Sequence, residues 1–143
     1  MSSPFNAKNY YRFFNSIYPN NTISAGVQYS VNGPINMTTQ GTFTSSENWQ
    51  IFYQSGLYFI RNYQAGAALQ LGLTADQLSV PRLLYSSGGL GQQWQLNQRS
   101  DGTWRVTNML VSNSSSLGIA RGGLTVPAMD SSDADGHWVC AII

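Results

Sequence analysis

The stretch GLGQQWQLNQRSDGTWRV, residues 89–106, sets an apolar run around Trp94 beside a polar Ser-Asp-Gly turn and a second run around Trp104. Its plan occurs three times. Trp49, Trp94 and Trp138 stand 45 and 44 residues apart, and upstream of each an Asn and a Pro recur with a gap of 19: Asn15 with Pro34, Asn62 with Pro81, Asn108 with Pro127. The interval from Pro to Trp runs 15, 13 and 11, which confines length variation to one loop. YYRFFN, LYFIRN and TWRVTN align at their shared Asn, and the last two each follow a Gly-containing turn, QSG and SDG. Three landmarks per unit define an internal repeat. The units run approximately 5–54, 55–99 and 100–143, within one domain covering 1–143.

In the aligned segments Tyr11, Tyr58 and Trp104 alternate with Phe13, Ile60 and Val106, the period of a half-buried strand. Helical spacing is absent. NWQIF, ALQLG, RLLY, QWQLN, SLGIA and HWVCAII read as further short strands between Gly, Pro, Asn and Ser clusters. Four strands per repeat predict about twelve in all. A propeller blade has a similar length and strand count, but propellers close with about four blades or more. Three units instead predict an all-β chain, a β-trefoil, in which six strands form a barrel and six form hairpins over one end. Closure removes exposed edges, and each Trp anchors one third of a shared core.

Charged residues are 9% of the chain, whereas Ser, Thr, Asn and Gln fill 50 of its 143 positions, so the surface is polar mainly through uncharged groups. Seven Lys and Arg against six Asp and Glu, with no basic run, argue against nucleic acid as a partner. No apolar segment approaches the roughly 18 residues of a membrane span, and the start MSSPFNAKNYYRFF lacks the parts of a secretion signal. The expectation is a cytoplasmic protein that does not insert into membranes. Cys140, the one cysteine, has no internal disulfide partner. The three glycosylation sequons at Asn20, Asn36 and Asn113 are what chance supplies in a chain this rich in Asn, Ser and Thr.

The repeat and its Gln92-Gln93-Trp94 resemble the ricin B-like β-trefoil family, whose mark is Gln-x-Trp near the end of each repeat. The first and third repeats carry Glu47-Asn48-Trp49 and Gly136-His137-Trp138 in its place. The resemblance, which runs from about Phe5 to Ile143, implies a stand-alone lectin of the fungal type with glycans or glycoproteins as partners. It also implies an Asp that binds sugar hydroxyls, an aromatic ring on the pyranose face and the motif Gln beside them. The Asp position falls near Ile23 or Ser24, near Gln70 and near Ser116. The stacking position falls near Met37, near Leu84 or Tyr85, and near Asp130. None of the first set is Asp, so the sugar sites are degenerate.

The second repeat keeps the most: Gln70, Tyr85 and Gln92, with Asp76 in the loop LTADQL as a further hydroxyl acceptor. Asp130, Asp133 and Asp135 of DSSDADGHW form a weaker alternative; they lack calcium-loop spacing and read more simply as a solvated loop. With two degenerate repeats, useful avidity requires self-association or a second site of another kind. No catalytic group, metal site or cofactor is expected. His137 is the only histidine, SGGLG lacks a phosphate-loop Lys, and Cys140 reads as packed in the last strand. Outward-facing Phe14 and Phe59 read as packed beneath a hairpin, the alternative being a contact surface. Two other functions remain open, a β-trefoil protease inhibitor acting through exposed loops and a scaffold or subunit that has lost the sugar sites.

Overall fold

The computed structural model describes residues 4–26, 30–33, 35–42, 44–120, 126–132 and 134–143; Pro34 and Asp133 lie outside them. Twelve strands follow one another in three sets of four. The first set is β1 (Tyr11–Asn15), β2 (Asn21–Ser24), β3 (Asn36–Thr39) and β4 (Trp49–Gln54). The second is β5 (Leu57–Asn62), β6 (Leu69–Thr74), β7 (Gln77–Tyr85) and β8 (Trp94–Gln98). The third is β9 (Trp104–Asn108), β10 (Ser116–Ile119), β11 (Pro127–Asp130) and β12 (Trp138–Ile142). Among the described residues the only helical turns are short 3-10 segments at Thr44–Glu47 and Leu90–Gln92.

First and fourth strands of each set build a six-stranded barrel. It is closed where β12 returns to β1, from Tyr11 opposite Ile142 to Asn15 opposite Trp138. Second and third strands form the hairpins β2–β3, β6–β7 and β10–β11. The fold is therefore the β-trefoil that the repeat predicts. Strands β2, β3 and β11 were not among the apolar runs of the sequence. NTIS and NMTT each hold one large apolar side chain, and the two strands pair with each other, while PAMD is four residues long and pairs with β10.

All three landmark tryptophans are 0% exposed. Each indole N–H donates to a carbonyl of a hairpin strand: Trp49 to Ile23 at 2.9 Å, Trp94 to Leu71 at 2.9 Å, Trp138 to Leu117 at 2.8 Å. Each landmark Asn is buried as well and ties its repeat to the one before. The Nδ2 groups of Asn15, Asn62 and Asn108 donate to the carbonyls of Asp135, Ser46 and Gly91 at 2.7–2.8 Å. Those carbonyls lie three residues before Trp138, Trp49 and Trp94. Each Asn Oδ1 also accepts the N–H two residues on, from Ile17, Gln64 and Leu110.

Inward positions of the barrel are filled in layers. Phe13, Ile60 and Val106 are buried at one level, and Ile51, Leu96 and Cys140 occupy equivalent positions two residues after each Trp. Opposite the hairpins the mouth is stoppered by a residue that precedes β1. The Phe5 ring lies 5.3 Å from Tyr11, 5.7 Å from Tyr58 and 4.8 Å from Trp104, touching all three equivalent rings.

Truncating a buried aromatic loses transfer free energy and leaves a cavity. Trp94→Ala is expected to cost about 3–5 kcal/mol and Phe5→Ala about 3 kcal/mol in urea unfolding. Values below about 1 kcal/mol for both would contradict the anchor and stopper roles.

Candidate functional site

The indole acceptors set a threefold register: Ile23, Leu71 and Leu117 are equivalent, and so are Ser24, Gly72 and Gly118. Gln70 and Ser116 are equivalent to Thr22, one residue before the first of these sets. The position that the resemblance assigns near Ser24 is occupied by packing in every repeat. Ser24 is fully buried with its Oγ 3.1 Å from Ser46 Oγ. A Cβ on Gly72 would lie 2.9 Å from both the Gly91 carbonyl and Leu84 Cδ1, and one on Gly118 would lie 2.4 Å from Asp135 Oδ1.

The four second-repeat residues do not converge. Gln92 is buried with both ends of its amide engaged, Nε2 donating to the Tyr85 carbonyl at 2.7 Å and Oε1 accepting from the Ser87 N–H at 3.0 Å. Tyr85 is 67% exposed. It stands opposite Leu69, whereas Gln70 stands opposite Leu84, so alternation places Gln70 and Tyr85 on opposite faces of the hairpin. That corrects their pairing as one site. Asp76 sits at the hairpin tip, held by the Thr74 hydroxyl at 2.5 Å and by Arg82 at 3.5 Å, roughly 13 Å along the strand from Gln70. The Thr74 hydroxyl first, and Arg82 after it, lower its pKa.

In the third repeat Asp130 accepts the Ser132 N–H at 3.0 Å in a local turn, and the Asp135 carboxylate packs over Gly118. Asp133 lies outside the described residues. Among those residues no group of three His, Cys, Asp or Glu is arranged to hold a metal.

Gln70 belongs instead to a cleft of about 400 Å³ between the first and second repeats, with Phe52, Tyr53 and Gln54 of β4, Phe59 and Arg61 of β5, and Gly88. Phe52 and Phe59 are cross-strand partners on the outer face of the β4–β5 hairpin, and the Arg61 guanidinium lies over the Phe52 ring with Cζ 4.4 Å from its centroid. Phe59 thus lines an open cleft on this face. Gln70 is only 5% exposed, yet its Oε1 has no hydrogen-bond partner; nor has the buried Nε of Arg61.

The symmetry shows why. Thr22, the counterpart of Gln70, donates to Glu47 at 3.2 Å, but Gln92, the counterpart of Glu47, is already engaged with Ser87 and Tyr85. Where β4–β5 pairs Phe52 with Phe59, β8–β9 pairs Asn97 with Arg105 and β12–β1 pairs Ala141 with Arg12. Aromatic walls and an idle amide therefore coincide at one junction. A neighbouring cleft of about 450 Å³, across the 86–89 segment, is walled by Leu73, Leu84, Leu90 and Leu110, and its amide is that of Gln92.

His137 Nδ1 meets Asp101 Oδ2 at 2.9 Å and Thr103 Oγ1 at 3.1 Å on the surface. The Thr103 hydroxyl and N–H, followed by His137, lower the Asp101 pKa from 3.8 to about 2. Cys140 packs against the core, and burial pushes its thiol upward, away from the reactive thiolate. Among the described residues no helix is long and apolar enough to cross a membrane.

No protein-family model and no curated protein sequence matches the chain. Solved structures do. A mosquitocidal holotoxin superposes with a TM-score of 0.85 at 20% identity, covering 99% of this chain and 18% of its own. The designed threefold-symmetric protein ThreeFoil gives 0.81 at 14% identity, covering 94% of this chain and 99% of its own. The Polyporus squamosus lectin, bound to the epitope Neu5Acα2-6Galβ1-4GlcNAc, gives 0.74 at 14% identity, covering 98% of this chain and 50% of its own. The chain thus spans under a fifth of the holotoxin and half of the lectin. These likenesses establish the β-trefoil fold, shared with sugar-binding lectins.

Two outcomes follow from the packing. Gly118→Asp, which puts an acid at the structural equivalent of Ser24, is expected to lower the thermal midpoint by several degrees because Asp135 fills that space. Because the Asp101 pKa is depressed on folding, its contribution to stability is present above pH 3.8 and is lost as the pH falls through about 2. Asp101→Asn should flatten the thermal midpoint against pH in that window.

Proposed function

We propose that this protein is a glycan-binding β-trefoil, a lectin-like module that holds sugar without altering it chemically. The observation that carries this reading is the cleft at the first repeat junction. It pairs the aromatic surfaces of Phe52 and Phe59 with a buried amide oxygen, on Gln70, that lacks a donor. A saccharide offers both complements at once, an apolar C–H face for the rings and a hydroxyl for the amide. Unsatisfied buried acceptors are costly, and a ligand hydroxyl relieves that cost. Support also comes from the fold, which is shared with a lectin solved with a bound glycan.

Among the described residues the aromatic pair occurs at one of the three equivalent junctions, so on this reading each copy of the chain offers one such shallow site. Affinity for a monovalent sugar is accordingly weak, and strong attachment to a glycoprotein surface calls for several copies side by side.

A glycan array with a protease panel tests the reading. Glycan binding without inhibition is expected; silence on the array overturns it, and inhibition alone favours the loop-based inhibitor. Gln70→Ala and Phe59→Ala should each weaken binding about tenfold or more. Tyr85→Ala and Asp76→Asn should stay within about twofold, since neither lines the cleft.

A further inference from the structure

We infer that the cleft between the first and second repeats takes an acidic saccharide, its anionic group held by Arg61 while Gln70 accepts a hydrogen bond from a neighbouring hydroxyl. This rests on the glycan-binding reading and adds the charge of the ligand to it. The other described arginines are all engaged within the protein. Arg12 reaches Glu47 at 3.9 Å and Asn48 at 3.1 Å, and Arg82 reaches Asp76 and Thr74. Arg99 and Arg105 donate to the carbonyls of Gly136 and Asn113 at 3.0 and 3.1 Å. The Nε groups of Arg61, Arg82 and Arg99 are all without a hydrogen bond, but among the described residues the Arg61 side chain has no polar or acidic partner beside it, and Phe52 holds its guanidinium in place from one side.

The fold does not require a cation there. Arg61 occupies the position held by Phe14 in the first repeat and Thr107 in the third, where the strand partners are Val139 and Gln95. A half-buried guanidinium without a partner is a cost that packing alone does not explain. Stacking on an aromatic ring fixes the plane of an arginine and leaves its N–H edge to receive two oxygens side by side. A sugar carboxylate or a sugar sulfate supplies such a pair through charge-assisted hydrogen bonds, which are about twice as strong as neutral ones. No acidic side chain lines the cleft to repel it. At about 400 Å³ the space suits one or two sugar rings, with Phe59 under the apolar face.

The experiment is calorimetric titration of the full chain with four probes: methyl glucuronide, galactose 6-sulfate, a sialic-acid-terminated trisaccharide and neutral N-acetyllactosamine. At least one acidic probe is expected to bind about tenfold or more tighter than the neutral one, with the difference shrinking at high salt. The two carboxylates against the sulfate identify which anion is preferred. Arg61→Gln should abolish the preference and Arg61→Lys should keep part of it, both with unchanged thermal midpoints. Equal binding of neutral and acidic probes, or a preference that survives Arg61→Gln, overturns the inference and leaves the glycan reading standing. Should Arg61→Gln fail to fold, side-chain NMR of the unmodified protein decides. Shifts of the Arg61 Nε–H and the Gln70 amide on adding an acidic probe support the assignment, and their absence overturns it. Failure to bind any of the probes, or any glycan on the array, removes both readings.

Discussion

The indole N–H of a buried tryptophan must find an acceptor, and in this protein the acceptor is on a different layer. Each landmark Trp is rooted in the barrel, and its hydrogen bond is made to a hairpin carbonyl, so one side chain fixes the separation and register of barrel and cap. Leaving such a donor unpaired in the interior would cost far more than a typical surface contact contributes. The three asparagines extend this constraint around the axis. Because each reaches back to the turn before the preceding tryptophan, the repeats are linked in a ring.

Within that frame, the residues at one contact differ from repeat to repeat. The hairpin position and the position three before the tryptophan read Ser24 with Ser46, Gly72 with Gly91, and Gly118 with Asp135. In the third repeat the Asp135 side chain is met by glycine, and in the second a glycine on each side lets the backbones approach. Gly91 shows how close they come, since a Cβ there would lie 1.9 Å from the Leu73 carbonyl. This contact fills the space at all three hairpins, and what remains open is a junction that the repeats do not share.

The parts of this molecule that obey the threefold rule were legible in the sequence. The spacing of Trp, Asn and Pro led to the barrel, and the alternation from Tyr11 to Phe13 and from Tyr58 to Ile60 led to its inward face. Phe5 was not legible as a stopper, because an aromatic ahead of β1 is not one of the landmarks that recur. Gln70 falls at the position where the resemblance implies a sugar-binding Asp, and that resemblance pairs it with residues of its own repeat. Its neighbours come instead from β4 of the repeat before, and Phe52 meets Phe59 only through the register of the hairpin between repeats. Tyr85 failed as its companion for a reason of parity, since neighbouring residues on a strand face opposite ways. Arg61 did carry a signal: it stands in the aligned column with Phe14 and Thr107 as the one charged residue.

Pairing of β1 with β12 also sets the order in which the chain can fold. The partners of Tyr11, Phe13 and Asn15 are Ile142, Cys140 and Trp138, at the far end of the sequence, so β12 is the last of the twelve strands to leave the ribosome. Until then β1 is missing one neighbour and the barrel has open edges that invite pairing with other chains. Contacts of such long sequence separation are slow to form, because chain entropy is lost before they repay it. Local hairpins such as β4–β5 and β8–β9 can form their register before that closure, because their partners are near in sequence.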